Sequence, residues 1–244
     1  MLIRADLHIH TVLSPCAEVE MIPPLIVERA LEQRLDLIAI TDHNASANVQ
    51  AVMDAARETG VKVWAGIELQ TREEVHVLCL FDTVRQVRAL QAELELALPN
   101  LPNVPDKLGE QFIVDAAGDF IAREERLLLI SADLTLEGLA REVGALHGLA
   151  IPAHIDRVEN GLIPLLGFVP PGLDVPALEI SANISARDAR ARFRLPGQYA
   201  VMRGSDAHWL DAVGSAITEL DLEGTRSVAN VARALREARY KIQN

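Results

Sequence analysis

The chain has little of several residue types on which whole classes of protein depend. Its 244 residues include only two cysteines, Cys16 and Cys79, which cannot form a disulfide framework and so favour a reducing compartment. Aromatic residues make up only 4% of the chain, which argues against a repeated stacking platform for single-stranded nucleic acid. Lysine occurs only at Lys62, Lys107 and Lys241. The formal net charge of −12 excludes a basic nucleic-acid groove as the global design.

Long hydrophobic segments are also missing. The first residues, MLIRADLHIH, carry charge almost at once and therefore predict no secretory signal. No stretch is both long enough and apolar enough to span a membrane, so we expect a cytoplasmic protein without a membrane partner. What the chain does have is 50% hydrophobic residues, which is enough for a substantial core in one domain.

Short apolar runs alternate with amphipathic runs along most of the chain. The predicted strands are residues 2–7, 36–40, 61–67, 75–81, 149–153, 177–181, 200–203 and 216–220. The predicted helices are residues 23–34, 45–58, 83–98, 136–147 and 227–239. This rhythm predicts an α/β fold on a parallel sheet, open or closed, in a single domain over residues 1–244. Weak periodicity at residues 100–126 predicts an insertion, either a lid over a site or a surface excursion without a role.

The histidines are distributed in a way that predicts a metal site. Of the seven, six lie at or just after the end of a predicted strand. The carboxyl ends of parallel strands point into one shared mouth. These six are His8, His10, His43, His76, His154 and His208. The seventh, His147, lies in a helical pattern before Gly148 and is interpreted as a helix C-terminal residue that favours the helix dipole.

Two of the runs have a spacing that suits metal ligation. The DLHIH run puts His8 and His10 on one face of an extended chain, so both imidazoles can reach one ion. The GSDAH run repeats this spacing with Asp206 and His208. Glu68 ends the apolar run GIE, where burial of a carboxylate is costly unless it is paired or bound to metal. Taken singly, a surface histidine pair or an exposed strand end explains each run.

Two further runs, TDHN and PAHID, follow predicted strands and contain His43 and His154. Asp42 or Asn44 could instead cap a turn or helix, whereas His43 has no such explanation. His76 lies among apolar residues, where a satisfied core histidine is the ordinary alternative. Six histidines and two carboxylates exceed what one tetrahedral ion needs, so the sequence predicts two or three divalent ions.

In this order and spacing, DLHIHT, ITDHN, GIE, VHVL, PAHID and GSDAH together resemble the PHP (polymerase and histidinol phosphatase) family. The resemblance runs from about residue 5 to residue 208. It implies a distorted seven-stranded (β/α) barrel, up to three metal ions and phosphoesterase activity. It also implies three sets of ligands: His8, His10, Glu68 and Asp206 for the first ion, Glu68, His76 and His154 for the second, and His43 and His208 for the third.

One stretch departs from the family pattern. Family members often place an aspartate or histidine shortly after the first motif, where this chain has Cys16 and Glu18. A thiolate binds zinc or iron well, so Cys16 is favoured over Glu18 as a further ligand of the third ion. The alternative is a turn at Ser14-Pro15 beside which Cys16 merely packs.

Clustered divalent ions generate a hydroxide nucleophile, which suits hydrolysis of phosphoesters. The predicted function is a phosphoesterase that uses metal-bound hydroxide on a small phosphomonoester or nucleotide-type substrate, with zinc, manganese or iron as the metal. Asp206 is predicted to ligate and to accept a proton. Arg157 and Arg203 are the predicted substrate-binding cations, because guanidinium groups match phosphate geometry.

Two other functions stay open at this point. An amidohydrolase-like barrel acting on C–N bonds also uses histidine-held metals, but no lysine ends a middle strand to anchor a bridging carbamate. A non-catalytic metal-binding interaction module would not need so many ligands. Nucleic acid is expected as a partner only in the form of nucleotides or short oligonucleotides.

Overall fold

The computed structural model describes residues 1–242 as an α/β fold. The strands are β1 (Leu2–Ile9), β2 (Leu37–Ile40), β3 (Lys62–Gln70), β4 (His76–Phe81), β5 (Phe112–Val114), β6 (Phe120–Arg123), β7 (Leu149–Pro152), β8 (Ala177–Glu179), β9 (Ala200–Met202), β10 (Thr218–Asp221) and β11 (Tyr240–Ile242). The helices are α1 (Pro23–Glu32), α2 (Val49–Ala55), α3 (Val84–Ala97), α4 (Pro105–Leu108), α5 (Leu136–Ala145), α6 (Leu162–Leu166), α7 (Ala186–Phe193) and α8 (Val228–Arg236).

A seven-stranded sheet organises the molecule, in the order β11-β10-β1-β2-β3-β4-β7. Strands β1, β2 and β3 run parallel, whereas β4 is antiparallel to both β3 and β7. At the other side, β10 pairs antiparallel with β1 and with β11. Strands β8 and β9 form a separate parallel pair. The predicted distorted seven-stranded (β/α) barrel is confirmed as an α/β fold whose seven-stranded sheet curls into a half-barrel.

Backbone hydrogen bonds connect the end of β7 with β8, and the segment after β9 with β1, so that the curled sheet comes back toward its first strand. The amide of Ile155, just after β7, donates to the carbonyl of Glu179 in β8 at 2.9 Å. The amide of His10 donates to the carbonyl of Ala207 at 3.0 Å, and the amide of Ala207 donates to the carbonyl of His8 at 3.2 Å. The segment after β7 is thus held against the end of β8, and the segment after β9 is held against the end of β1.

The core forms because the central strands are apolar on both faces. All four residues of β2 and all six of β4 are buried. The helices cover these strands with one apolar side each. In α5, the buried residues Leu136, Leu139, Ala140 and Val143 recur at helical spacing. The helix begins where the Thr135 hydroxyl accepts a hydrogen bond from the amide of Gly138.

The sheet is not uniformly parallel, which corrects the expectation from the strand–helix rhythm. Strand β3 extends to Gln70 and returns directly as β4 through a hairpin at residues 71–75, without a helix in between. His76 is therefore the first residue of β4 and pairs with Gln70. The prediction that His76 lies at the end of a strand is wrong, but the reversal brings this start to the edge where the parallel strands end.

Residues 100–126 are more ordered than their weak periodicity suggested. They contain α4 and the antiparallel pair β5–β6. This hairpin packs on the loop after β1: the amide of Phe112 donates to the carbonyl of Val12, and the side chain of Asn48 bonds to the backbone of Phe112 and Val114. The role as a lid and the single-domain organisation stay predictions.

Two helices and several bounds differ from the sequence prediction. Helix α2 spans only Val49–Ala55, because the residues before it form the turn that carries the TDHN run. Helices α6 and α7 are short and were not predicted. His147 lies two residues beyond α5 with a left-handed φ of 57° and an exposed side chain, so it is not a residue of the helix itself.

No helix within residues 1–242 has the length and apolarity needed to cross a bilayer. Both cysteines are free, with Cys16 exposed and Cys79 buried in β4. The cytoplasmic location stays a prediction.

Candidate metal centre

All eight side chains predicted as ligands from the histidine and carboxylate motifs converge at one end of the curled sheet. They come from the end of β1 (His8 and His10), the turn after β2 (His43), β3 (Glu68), the start of β4 (His76), the turn after β7 (His154) and the turn after β9 (Asp206 and His208). Six of them line a cavity of about 720 Å³. His8 and His10 lie fully buried beneath it, with the His10 ring 4.0 Å from that of His208 between centroids.

Two of the turns bend the backbone into conformations that non-glycine residues seldom adopt. His154 has a φ of 25° and Asp206 has a φ of 52°. Such backbone geometry persists only where the surroundings enforce it, and it is concentrated at functional sites. In both turns the bend follows a short buried strand. It directs the side chain into the cavity.

The candidate ligand atoms form three overlapping groups. Within each group they lie within 4.8 Å of one another. The groups are His8, His10, Glu68 and Asp206; His43, Glu68 and His76; and His10, His43 and His208. His154 joins the second through its Nε2, 3.0 Å from Glu68 Oε1. The first group coincides with the set that the family resemblance implies, whereas His43 faces both other groups. The ligand roles stay predictions.

The centre of the cluster contains buried polar atoms that lack a protein hydrogen bond. Among the described residues, Nε2 of His8, Nε2 of His10 and Oε2 of Glu68 form no hydrogen bond of regular geometry, although His43 Nδ1 lies 2.9 Å from that Glu68 oxygen. Both Nε2 atoms lie 3.2 Å from Asp206 Oδ1. Buried polar atoms without regular hydrogen bonds are costly, and these atoms lie within 4.8 Å of one another, close enough to share one ion. Imidazole nitrogen and carboxylate oxygen together suit zinc, manganese or iron, so the residues fit divalent ions.

The buried histidines and carboxylates of the cluster shift one another's pKa values. Burial disfavours the charged form of His8, but the carboxylates of Glu179, Asp206 and Glu68 outweigh it and raise its pKa well above the usual value. Burial, together with His208 and His43, lowers the pKa of His10. Burial would raise the pKa of both Glu68 and Asp206, yet the surrounding histidines lower it for each. The two carboxylates are therefore ionised and available to cations.

Cys16 lies at the rim of the cavity, beside His43 and His208. Burial would raise the pKa of its thiol, but hydrogen bonds with these two histidines lower it to about 7. The Glu18 side chain is exposed, and within residues 1–242 it is not among those that line the cavity. This placement favours Cys16 over Glu18 as the further ligand, which stays a prediction.

The two arginines predicted to bind substrate are in different places. Arg157 lines the cavity, is half exposed, and places Nη1 2.5 Å from Asp206 Oδ2. Arg203 is buried, and its guanidinium donates to the carbonyl of Ile184. It does not belong to the described cavity lining. Its placement supports a structural contact and gives no support to substrate binding.

Sequence reasoning missed the network that supports His10. A cap was one alternative for Asp42, but its buried carboxylate accepts hydrogen bonds from the Thr11 amide at 2.6 Å and the Ser14 hydroxyl at 2.7 Å. Ser14 Oγ in turn lies 2.9 Å from His10 Nδ1. Asn44 does not cap a helix either. Its side-chain amide donates to the carbonyls of Leu128 and Ile130, in the segment that follows β6. No local pattern showed these contacts between distant segments.

Glu179 was also missed. It is the last residue of β8, is only 1% exposed, and lies 2.9 Å through Oε2 from Nδ1 of His8. The signal was present in the sequence, because a carboxylate within the apolar run ALEI is as unusual as Glu68 in its own run.

Comparisons with known proteins agree with this geometry. The PHP domain model matches residues 6–135, and the PHP-associated model matches residues 181–240. The chain is 29% identical over 119 residues to a 5'-3' exoribonuclease of Haemophilus influenzae, a match that covers 46% of this chain and 42% of the exoribonuclease.

Three solved structures share the fold. The lesion-specific endonuclease PfuEndoQ from Pyrococcus furiosus has a TM-score of 0.72 and 19% identity, over 99% of this chain and 58% of the endonuclease. A second structure is that of endonuclease Q in complex with a 27-mer duplex substrate with an abasic lesion at the active site. Its TM-score is 0.71 and its identity 18%, with the same coverage. An amidohydrolase from Chromobacterium violaceum has a TM-score of 0.57 and 20% identity, over 98% of this chain and 97% of the amidohydrolase.

At these identities the solved structures show the fold alone, and the chain spans only about half the length of the exoribonuclease and the endonuclease. The family model carries more weight, because it covers over half of the sequence and includes four of the six motifs, from DLHIHT to VHVL. The chain therefore belongs to the PHP domain family of metal-dependent hydrolases.

Proposed function

We propose that this chain is a metal-dependent phosphoesterase that hydrolyses a small phosphomonoester or a nucleotide-type substrate, short oligonucleotides included. The observation that carries the proposal is the convergence of six histidines, Glu68 and Asp206 on one cavity with Arg157 at its mouth. When bound, two or three divalent ions would lower the pKa of water and polarise the phosphoryl oxygens.

Asp206 and Arg157 are placed for different roles around the phosphate: Asp206 as a metal ligand and proton acceptor, and Arg157 as a phosphate-binding cation. Asp206 Oδ1 faces the Nε2 atoms of His8 and His10, whereas Oδ2 pairs with Arg157. A substrate phosphate would compete with Asp206 for the guanidinium, because both offer oxygens in a matching geometry. Transfer of Arg157 to the phosphate frees Asp206 Oδ2 to accept a proton. This supports both a ligand role and a proton-accepting role for Asp206.

The cavity favours a compact anionic substrate. Its volume of about 720 Å³ lies in the range of sites for small ligands. Arg157 is the single Lys or Arg that lines it within the described part of the chain, and Glu159 at the rim adds negative charge. A long polyanion would therefore gain little binding free energy from contacts with this rim. The exoribonuclease and endonuclease relatives support a phosphoester of nucleotide type as the reacting end.

The test is release of phosphate or nucleotide from a panel of substrates with Mn²⁺, Zn²⁺ or Fe²⁺ and a chelator control. The panel contains phosphomonoesters, nucleoside monophosphates, short 5'-phosphorylated oligonucleotides and a duplex with an abasic site. We expect metal-dependent turnover that His8→Ala abolishes and that the matched His147→Ala variant retains, because His147 lies outside the cluster. Metal-loaded, folded protein that turns over none of these substrates would refute the proposal.

Hydrolysis of C–N bonds is the second candidate. It is supported by the likeness in fold and length to the amidohydrolase from Chromobacterium violaceum. Cyclic amides and carboxamides in the same panel separate the two reactions. Tight metal binding without turnover of any substrate would instead favour a metal-binding interaction module.

A further inference from the structure

Glu179 touches two candidate ligands at once. Its Oε2 lies 2.9 Å from the ring nitrogen Nδ1 of His8 and accepts the backbone N–H of His154 at 3.0 Å. Glu179 belongs to none of the three candidate ligand groups. One oxygen atom thus connects the end of β1 with the left-handed turn after β7.

The contact with His8 selects how that imidazole is used. An ionised carboxylate only accepts hydrogen bonds, so Nδ1 of His8 has to carry a proton. Nε2 on the opposite side of the ring is then the nitrogen left for an ion. It faces Glu68 and Asp206 at 3.2 Å each. A carboxylate behind a ligating histidine also raises the basicity of that ligand.

The loop that carries Asp206 and His208 closes over the same carboxylate. A Cβ atom on Gly204 would lie 2.6 Å from Oε1 of Glu179 and 2.7 Å from Cβ of His8. Only a glycine leaves room for both side chains. Oε1 itself is buried and, among the described residues, has no hydrogen-bond partner. Burial of a half-satisfied carboxylate is costly, which a purely structural contact would not require.

The neighbouring histidine is supported in a different way. His10 Nδ1 faces the Ser14 hydroxyl at 2.9 Å, and the Asp42 carboxylate lies behind that hydroxyl. The two histidines of the DLHIH run therefore differ: a carboxylate contacts His8 directly, whereas a neutral hydroxyl contacts His10. On the Nδ1 side of the two rings, a carboxylate is in direct contact with His8 alone.

We propose that Glu179 is a positioning residue that directs Nε2 of His8 toward the ion shared with His10, Glu68 and Asp206. Through the amide of His154, it also fixes the turn that brings His154 to Glu68. The inference rests on the proposed metal centre, and it goes further by assigning a role to a residue outside the ligand set.

The test compares Glu179→Gln with wild-type protein. The glutamine carbonyl can still accept both hydrogen bonds, so the fold is kept while the charge is lost. We expect the affinity for Mn²⁺ or Zn²⁺, measured by competition with a chelator, to fall about 10- to 100-fold for one ion, with the other ions bound as in wild type. Glu237→Gln, the same change at an exposed site, should leave every affinity unchanged.

A double-mutant cycle assigns the effect to His8. In a His8→Ala background, Glu179→Gln should have no further effect on metal affinity, because the ring that it positions is gone. Gly204→Ala, which crowds Glu179 and His8 without removing either, should lower the affinity for the same ion. An equal loss of affinity with and without His8, or no loss at all, would overturn the inference.

A measurement on metal-free protein keeps this test separate from the proposed function. Long-range ¹H–¹⁵N spectra report which ring nitrogens of His8 carry protons, and they need neither metal nor substrate. We expect a protonated Nδ1 in wild type, with a changed shift in Glu179→Gln. A His8 signal identical in the two proteins refutes the positioning role even if phosphoesters are hydrolysed. The expected spectra and affinities without any turnover would refute only the proposed reaction.

Discussion

At the scale of single residues, the two cysteines have opposite surroundings. Cys16 lies at the rim of the cavity, where contacts with His43 and His208 bring the pKa of its thiol to about 7. Cys79 lies in β4, where burial raises the pKa of its thiol. Thiolate is both the nucleophile and the form that binds metal, so only Cys16 is in an environment that favours either role.

We expect Cys16 of metal-free protein to react with iodoacetamide in a pH-dependent way. The thiolate fraction rises as the pH rises through the pKa, so the rate should reach its midpoint near pH 7 rather than near the usual 9.0. Mass spectrometry should show modified Cys16 and unmodified Cys79, which serves as an internal control.

The same reaction tests the predicted ligand role of Cys16. Added Zn²⁺ should suppress alkylation of Cys16, and His208→Ala should move the midpoint to higher pH because one stabilising contact is lost. A rate that Zn²⁺ does not change would count against Cys16 as a ligand.

At the scale of elements, the side chain of Gln111 ties the start of the β5–β6 hairpin to the segment that follows β6. Gln111 is 1% exposed, and its amide nitrogen donates to the carbonyls of Glu124 and Arg126. Its amide oxygen accepts from the amide of Leu128. The hairpin in turn packs on the loop between His10 and Cys16. The hairpin therefore stabilises the rim of the metal centre without lining the cavity.

Gln111→Ala should lower the free energy of unfolding by about 2 kcal/mol, because it leaves buried backbone groups without partners. Urea denaturation of the metal-free protein measures this change. The control is Gln50→Ala, an exposed glutamine on α2, for which we expect a change within about 0.5 kcal/mol. Equal stability of the two variants would contradict this account of the hairpin.

At the scale of the whole molecule, the candidate ligands join distant parts of the chain. Six separate segments, from β1 to the turn after β9, contribute side chains to one cluster. Unfolding separates these segments, so ions bound there are bound to the native state. Folding and metal binding are therefore linked.

We expect added Mn²⁺ or Zn²⁺ to raise the Tm and a chelator to reverse the rise. An ion at about 100 times its Kd stabilises the native state by about 2.7 kcal/mol. His76→Ala should reduce this gain, whereas His147→Ala, outside the cluster, should retain it. A Tm that does not respond to any of these metals would argue against the metal centre as a whole.

Part of the centre was predictable from local patterns. Alternation along an extended strand placed His8 and His10 together, and Glu68 was identified because an apolar run rarely contains a carboxylate. His76 was predicted in the right cluster for a wrong geometric reason, since its strand runs antiparallel. Arg203 had the expected position in the sequence, but the fold directs its guanidinium to Ile184. Local spacing cannot report the direction of a neighbouring strand.

The sequence by itself determined the α/β class, the buried strands and the residue types of a metal centre, because burial and strand periodicity act over a few neighbouring residues. Only the tertiary structure decided which atoms meet. Glu179 reaches His8 across 171 positions of sequence, and Gly204 provides the space for that contact. Such contacts depend on the curl of the sheet, which brings β8 and the turn after β9 against β1. They are a property of packing between distant segments.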